Sequence, residues 1–260
     1  DPAQAVLPGA AQLHARAAAK QSDTPNLSRR IERRWGAISE ALSRSNATVG
    51  GRFSYPRVTH ACMEPHVTLA SWDAKLERMH LWTSTQAPFF IVKEVALALG
   101  LERAQVVCHE VAVGGGFGVK SKICEHEVIA ALLARASGRP VRIALNREEE
   151  FAFTKPRHRF DMDLELHASQ QGDLLGISGN IVVDNGAYDL SGVSVVSAGL
   201  KAFGMMYRPI GIDVKADLVD TATHPSGQFR GYGSTQTGFA MECLVDEVAQ
   251  RLGQDPVDIR

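Results

Sequence analysis

Alternation of apolar and polar residues is the strongest pattern along this chain. "FDMDLELHAS" (160–169) alternates cleanly and "GDLLGISGNIVVDNG" (172–186) alternates after a turn, so the two predict a hairpin. "GIDVKADLVDT" (211–221) predicts a further strand. Earlier strand-like runs are "ATVGGRFSYPR", "HVTLASWD" and "RMHLWTST", with "DAK" (73–75) joining the last two as a hairpin. "QVVCHEVAV" (105–113) and "PVRIALN" (140–146) also read as strands. Elsewhere the period becomes helical. Residues 28–44 place Ile31, Trp35, Ile38 and Leu42 on one face, with Ser28 as N-cap and Glu32 nearby. Residues 88–99 form a helix stopped by Gly100, and 123–137 a helix ended by Gly138 and Pro140. A last helix over 236–252 has Phe239, Leu244, Val248 and Leu252 as core positions. Residues 1–28, with Pro2, Pro8 and Pro25, read as an extended arm or linker leading into the domain. The expected division is therefore an N-terminal arm and helix over 1–44 and one domain over 45–260. The mixture predicts an α+β fold of mixed, largely antiparallel sheets packed with helices.

Composition narrows the partners. The 260 residues are 45% hydrophobic and 22% charged, which allows a water-excluding core. A net charge of -1 gives no reason to expect nucleic acid or an anionic membrane. The basic runs Arg29–Arg34 and Lys155–Arg159 are expected to be solvated faces. Cys62, Cys108, Cys124 and Cys243 are scattered, with no C-x-x-C, so free and mostly buried thiols in a reducing compartment are expected. No apolar run approaches the length of a membrane span and no signal peptide is evident, which predicts a cytoplasmic location. Asp1-Pro2 at the start and "GQDPVDIR" at the end are expected to be cut edges of a longer protein.

The candidate chemistry lies in two glycine loops. "VAVGGGFGVKS" (111–121) nearly spells the phosphate-binding pattern G-x-x-x-x-G-K-[ST], but Val119 stands where the motif needs glycine. A branched side chain there resists positive φ and crowds a phosphate cradle. Four glycines around Phe117 still permit close approach of a ligand to the main chain. The loop is read as joining a strand to a helix N-terminus, whose open N–H groups suit an anion. The second loop, "GQFRGYGSTQ" (227–236), carries an aromatic and a cation, and Arg230 could hold an oxyanion or pair an acid at a helix start. Both loops fail G-x-G-x-x-G, at Val119 and at Gln236. Gln86, in "STQAP", lies between a strand and a helix, where it either caps the helix or donates to a ligand oxygen. "EPH" (64–66) reads as structural hydrogen bonding. His109, His126 and His167 read as core or surface histidines. No nucleophile elbow, zinc motif or paired acid/base site can be assembled.

Taken in order, "HACMEPH", "STQAP", "GGGFGVK", "AALLARASGRPVRI", "NREEEF", "RHRF", "DNGAY", "QFRGYGSTQ" and "ECLVDEVAQRLGQDPVDIR" resemble the molybdopterin-binding large subunit of the molybdenum hydroxylases, the xanthine dehydrogenase and aldehyde oxidase family. The resemblance spans about residues 45–260. It implies a molybdenum–molybdopterin cofactor, in its cytosine dinucleotide form, with no side chain ligating the metal. Gln86 would hydrogen-bond a molybdenum oxygen and is the catalytic candidate. Gly115, Gly116, Phe117 and Gly118 would contact the cofactor from the first loop, and Gln228, Phe229, Arg230 and Gly231 from the second. The implied reaction hydroxylates a C–H of an aldehyde or aromatic N-heterocycle with oxygen from water. Two electrons then pass to [2Fe-2S] and FAD groups on an iron–sulfur subunit and an FAD subunit, or on equivalent domains.

Departures from the family pattern refine this. Purine-hydroxylating members carry glutamate where this chain has Ser121, and carbon monoxide dehydrogenases carry cysteine where it has Gly231, so both chemistries are disfavoured. The family's catalytic glutamate belongs to a C-terminal molybdopterin-binding half beyond Arg260, and the preceding hammerhead domain is also missing. The chain alone is expected to be inactive. The alternatives are a non-catalytic structural or assembly subunit and a P-loop-like nucleotide binder that uses Lys120.

Overall fold

The structure, a computed structural model, describes residues 1–14 and 24–260. Numbered in chain order, its strands are β1 (Leu27–Gly36), β2 (Ala47–Tyr55), β3 (Val67–Asp73), β4 (Arg78–Thr83), β5 (Val106–His109), β6 (Val141–Ala144), β7 (Arg159–Ala168), β8 (Leu174–Gly186) and β9 (Gly211–Asp220). Its helices are α1 (Pro2–Ala5), α2 (Ile38–Arg44), α3 (Pro88–Leu99), α4 (Glu125–Ser137), α5 (Arg147–Phe153), α6 (Gly192–Met206), α7 (Ser234–Leu252) and α8 (Pro256–Ile259). They fall into two compact units: Asp1–Val58 together with Arg157–Arg260, and the inserted Thr59–Pro156.

The first unit is built on a five-stranded sheet in the order β1-β9-β8-β7-β2. The predicted β7–β8 hairpin is present, with Met162 opposite Ile181 and Leu164 opposite Gly179. Phe160, Met162, Leu164 and Leu166 all point to one face because strand side chains repeat every two residues. On that face they meet Val196, Leu200 and Phe203 of α6 and Met241, Leu244 and Val248 of α7. The second unit holds a four-stranded sheet, β5-β4-β3-β6. Met79 and Leu81 of β4 bury against Ile91 and Val95 of α3 and Ala130, Ala131 and Ala134 of α4. The β3–β4 hairpin turns at Asp73, whose carboxylate accepts the Lys75 and Leu76 amides. Both sheets are mixed and mainly antiparallel, and the α+β expectation holds.

Three readings from periodicity need correction. Residues 28–36 are not helical: they form β1, paired antiparallel with β9, and the helix begins only at Ile38. Ile31 and Trp35 are four apart, a spacing that fits one helical turn or two strand repeats, so pattern alone could not decide. The ladder with β9 makes the segment a strand, and cross-strand charge adds to it: Arg30 sits opposite Asp217 and bonds it at 2.7 Å, and Arg34 sits opposite Asp213. The N-terminal segment is not a free extended arm either. The buried Asn26 side chain donates to Ala5 O and Ala11 O and accepts from Leu13 N, each at 2.9 Å, while its carbonyl accepts from Asp220 N. The remainder of the predicted arm, 15–23, lies outside the described residues. Finally, α6 has no counterpart in the sequence reading, because its fifteen residues include three glycines and run apolar on more than one side.

The alternation in β7 carries much of the first unit's core. Leu164→Ala should cost about 2–5 kcal/mol of stability, the range for a leucine cavity in a close-packed interior. Equilibrium denaturant unfolding of the purified chain measures it.

Candidate functional site

In the second unit β4 and β5 run parallel, joined by the crossover helix α3. Parallel neighbours end at the same edge of a sheet, and that carboxyl edge is where such sheets bind ligands. The turn after β4 carries Gln86. The segment after β5 carries the first glycine loop. The edge therefore brings together two motifs more than thirty residues apart, through the bond from Gly118 N–H to Gln86 Oε1 at 2.9 Å.

The bond also fixes which end of the Gln86 side chain is occupied. It is not the cap of α3: that position is Ala87, which makes no side-chain cap bond. Its own N–H donates to Lys120 O at 2.8 Å, and its side-chain oxygen is occupied by Gly118. Gln86 is exposed and its Nε2 makes no hydrogen bond among the described residues, so that end can donate to a ligand oxygen. A Cβ at Gly116 would lie 2.5 Å from the Gln86 Cδ, so any larger residue there would displace the Gln86 side chain. The amides of Gly115, Gly116 and Phe117 have no partner among the described residues. Phe117 is 47% exposed and holds φ +51°, a left-handed conformation that costs energy for an aromatic residue and so marks a place where the chain is constrained.

Lys120 contradicts the phosphate-loop reading. Its side chain is fully buried and points into the protein, where Nζ donates to Ser84 Oγ at 2.7 Å, Glu64 Oε2 at 2.9 Å and Glu64 O at 3.0 Å. Glu64 in turn accepts from the Gly114 N–H and from Ser84 Oγ. A lysine whose three protons are spent in this way has none for a triphosphate. The helix is also too far along. β5 stops at His109, a short 3₁₀ turn occupies Val119–Ser121, and α4 starts at Glu125, so the first loop does not open a helix as expected. "EPH" is structural as expected: Glu64 anchors the loop, and His66 Nδ1 pairs with Glu150 at 2.8 Å.

The first unit repeats the arrangement. β8 and β9 run parallel across the crossover helix α6 and end together at Gly186 and Asp220. The second glycine loop comes after β9. Gly231, Tyr232 and Gly233 have φ of +91°, +48° and +96°, so a positive-φ aromatic again stands between two glycines. This loop does open a helix, with Gly233 as N-cap and Ser234 as the first residue of α7. Arg230 is exposed and makes no ion pair among the described residues, so the reading of an ion pair at a helix start is not realised. Gln228 Oε1 accepts from Ser191 Oγ at 2.9 Å, and Phe229 is half-buried. Gln236, where a dinucleotide loop would have glycine, is fully buried and donates to His158 O at 3.3 Å. The run 155–159 also needs correction. Lys155, Arg157 and His158 are buried, not a solvated face. Nothing in local periodicity marks them; only packing places them inside.

Burial shapes the titration of the second unit. It would raise the Glu64 carboxyl, but hydrogen bonds from Lys120, Gly114 and Ser84 outweigh that and hold it below the usual range. Burial pushes Glu127 up to about 7, opposed by bonds from Cys124 N and Thr83 Oγ1. It pushes His126 down to about 3, helped by the adjacent His66. Neither ring nitrogen of His126 has a partner among the described residues. Cys62 and Cys124 are buried thiols, and Cys108 and Cys243 are partly so. No group of three or more metal-ligating side chains occurs among the described residues, and no helix there is long and apolar enough to cross a membrane.

Two outcomes are expected. Lys120→Met should destabilise the second unit by about 2–3 kcal/mol, below the cost of breaking a fully buried pair because Glu64 keeps some solvent contact. Fluorescence of Trp72 and Trp82 during denaturant unfolding reports it. A raised folded-state carboxyl weakens folding as pH rises from the ordinary value of 4.5 towards about 7, and the penalty then levels off. Glu127→Gln should therefore gain stability relative to wild type between pH 5 and pH 8; a difference independent of pH would refute the assignment.

Comparison with known proteins agrees with this geometry. The family model for the molybdopterin cofactor-binding domain matches residues 19–260. The xanthine dehydrogenase molybdenum-binding subunit of Escherichia coli O157:H7 is 33% identical over 225 residues, covering 86% of this chain and 30% of that protein. The aldehyde oxidoreductase of Megalodesulfovibrio gigas is 31% identical over 216 residues, covering 83% and 24%. Among solved structures, quinoline 2-oxidoreductase from Pseudomonas putida 86 superposes with a TM-score of 0.87 at 29% identity, over 99% of this chain and 32% of that one. The chain spans about a third or less of the length of these relatives. On these grounds it belongs to the molybdenum hydroxylase family, as a first molybdopterin cofactor-binding domain.

Proposed function

We propose that this chain is the cofactor-binding part of a molybdenum enzyme that hydroxylates an aldehyde or an aromatic N-heterocycle. The observation that carries the proposal is Gln86. Its oxygen is committed to Gly118, so its NH₂ is the end left to meet a ligand oxygen at the carboxyl edge of β4 and β5. The donor set fits a molybdopterin-held metal. Open amides at Gly115–Phe117 and the Gln86 NH₂ suit oxygen acceptors, and the Gly116 position leaves no room for a Cβ beside Gln86.

When bound, such a centre supplies two-electron oxidation of a C–H carbon with oxygen taken from water. The chain's own residues bind and orient. Gln86 donates a hydrogen bond to a cofactor oxygen, Gly115–Gly118 give the main chain close approach, and Phe117 presents an apolar face. In the second loop, Gln228–Gly231 provide backbone contacts and the Arg230 charge for the anionic parts of the cofactor, in the cytosine dinucleotide form. A preorganised donor aimed at an oxygen that gains charge lowers the barrier without reorganisation. Electrons would leave to [2Fe-2S] and FAD groups on partner subunits or domains, and a C-terminal molybdopterin-binding half would supply the remaining catalytic residue.

Gln86→Ala should lower turnover of the native enzyme on the order of 10²-fold, the usual loss for one such donor, while molybdenum content stays unchanged. Molybdenum analysis and pterin fluorescence of the wild-type enzyme, made in a host that synthesises the cofactor, test the reading itself. Absence of both would overturn it. Cofactor present with turnover unaffected by both Gln86→Ala and Arg230→Ala would make the chain a structural or assembly subunit instead.

A further inference from the structure

Arg157 is a buried arginine without an acidic partner. It is 5% exposed, and no carboxylate lies within ion-pair distance of it among the described residues. Its neighbour in this respect, Arg57, differs: Asp184 lies 3.7 Å from the Arg57 Nε. An unpaired buried cation is expensive unless its protons are satisfied and its charge is otherwise accommodated. At Arg157 every contact leads to the second glycine loop or to the frame behind it. Nη2 donates to Arg230 O at 2.7 Å, inside the loop. Nη1 donates to Gln236 Oε1 at 3.1 Å, in the first turn of α7. The guanidinium carbon lies 4.2 Å from the centre of the Phe229 ring and 5.7 Å from that of Tyr55. The main chain is fixed as well: Arg157 N–H donates to Val58 O at 2.9 Å, and Arg157 pairs with Gly227 in an isolated parallel bridge.

The guanidinium thus holds the segment 227–236 at Arg230 and at Gln236 and packs on the Phe229 ring, while the Arg157 main chain pairs with Gly227. The fork geometry matters. A planar group with donors in fixed directions can bond Arg230 O and Gln236 Oε1 at once while lying flat against Phe229, which a lysine ammonium cannot do. Holding the Arg230 carbonyl inward fixes the next peptide plane, and with it the N–H of Gly231. The left-handed turn at Tyr232 is the strained part of the loop, and its conformation persists only if its surroundings enforce it. The internal bonds of that turn, Tyr232 N–H to Phe229 O at 2.8 Å and Ser234 N–H to Gly231 O at 2.9 Å, report whether it is intact.

We propose that Arg157 is a positioning residue for the cofactor loop: it locks Phe229–Gly233 into the conformation that presents the Arg230 side chain and the Gly231 amide to an anionic ligand. The inference rests on the reading of this loop as a cofactor contact. It concerns the loop's order, however, which can be measured without turnover.

The test is hydrogen exchange on the native enzyme, wild type against Arg157→Lys, together with pterin content. Thermal unfolding of each protein confirms that it is folded. Arg157→Lys keeps the charge and loses the fork. We expect exchange at the Tyr232 and Ser234 amides to rise at least 10-fold, trypsin to cleave after Arg230, and pterin content to fall several-fold. Exchange equal to wild type would overturn the proposal. So would loss of pterin with the loop still protected, which would mean that Arg157 acts on the cofactor other than through the order of the loop. Should the variant fail to fold, Phe229→Leu removes only the ring beneath the guanidinium and should raise exchange at Tyr232 about threefold or more; no change there also overturns the proposal. A wild-type enzyme without pterin would overturn the functional reading instead, while the exchange comparison would still decide the role of Arg157.

Discussion

The ammonium of Lys120 is buried among three oxygen partners, on Glu64 and Ser84, and the shape of the first glycine loop depends on it. Burying an unpaired ammonium costs several kcal/mol, so the chain must bring those oxygens to it. Ser84 closes the end of β4, and Glu64 reaches the loop by accepting from the Gly114 N–H. Lys120 O then receives the Gln86 N–H, which sets the side chain that meets Gly118. One residue therefore ties together the strand end, the Glu64 segment, the glycines and the candidate donor. The same commitment removes Lys120 from phosphate chemistry, and the near-match to a P-loop becomes a match in letters only.

Each unit uses the same construction separately. A parallel strand pair, made parallel by a crossover helix, delivers two chain segments to one edge. After the second strand of the pair comes a glycine-aromatic-glycine triplet with its aromatic at positive φ, Phe117 in one unit and Tyr232 in the other. Everything else in both sheets is antiparallel. The parallel pairs are thus where the fold departs from the cheapest local connection, and that is where the candidate chemistry sits. Beyond the triplet the units diverge. The second unit runs into a 3₁₀ turn and a buried lysine, and the first passes at once into a nineteen-residue helix.

Helix α4 explains why so much polarity is buried beside the first loop. Its inward face is made of Ala130, Ala131 and Ala134 with His126 and Glu127, while Ile129, Leu132 and Leu133 face outward, each about half exposed. Alanines let the helix lie close to β3 and β6, and close approach strips water from the two polar residues at its start. Burial then keeps His126 neutral and raises Glu127, whose two oxygens are used by Thr83 and by the Cys124 amide.

The features legible in the amino-acid order alone are mostly local. Period-two alternation places β7, β8 and β9, glycine stops end α3, α4 and α7, and the ordered motifs point to the family, because each of these signals is written in neighbouring residues. The glycine loops and Gln86 are legible as candidates for the same reason. Three-dimensional packing decides the rest. Ile31 and Trp35, four apart, fit helix and strand equally, and only the pairing with β9, along the whole of β1, makes them a strand. Lys120 reads as a ligand-facing lysine and Arg157 as a solvated arginine; each is turned inward by partners that lie 36 to 79 residues away in the chain. A charged side chain's direction depends on where its counter-groups lie in space, and no local pattern encodes that distance.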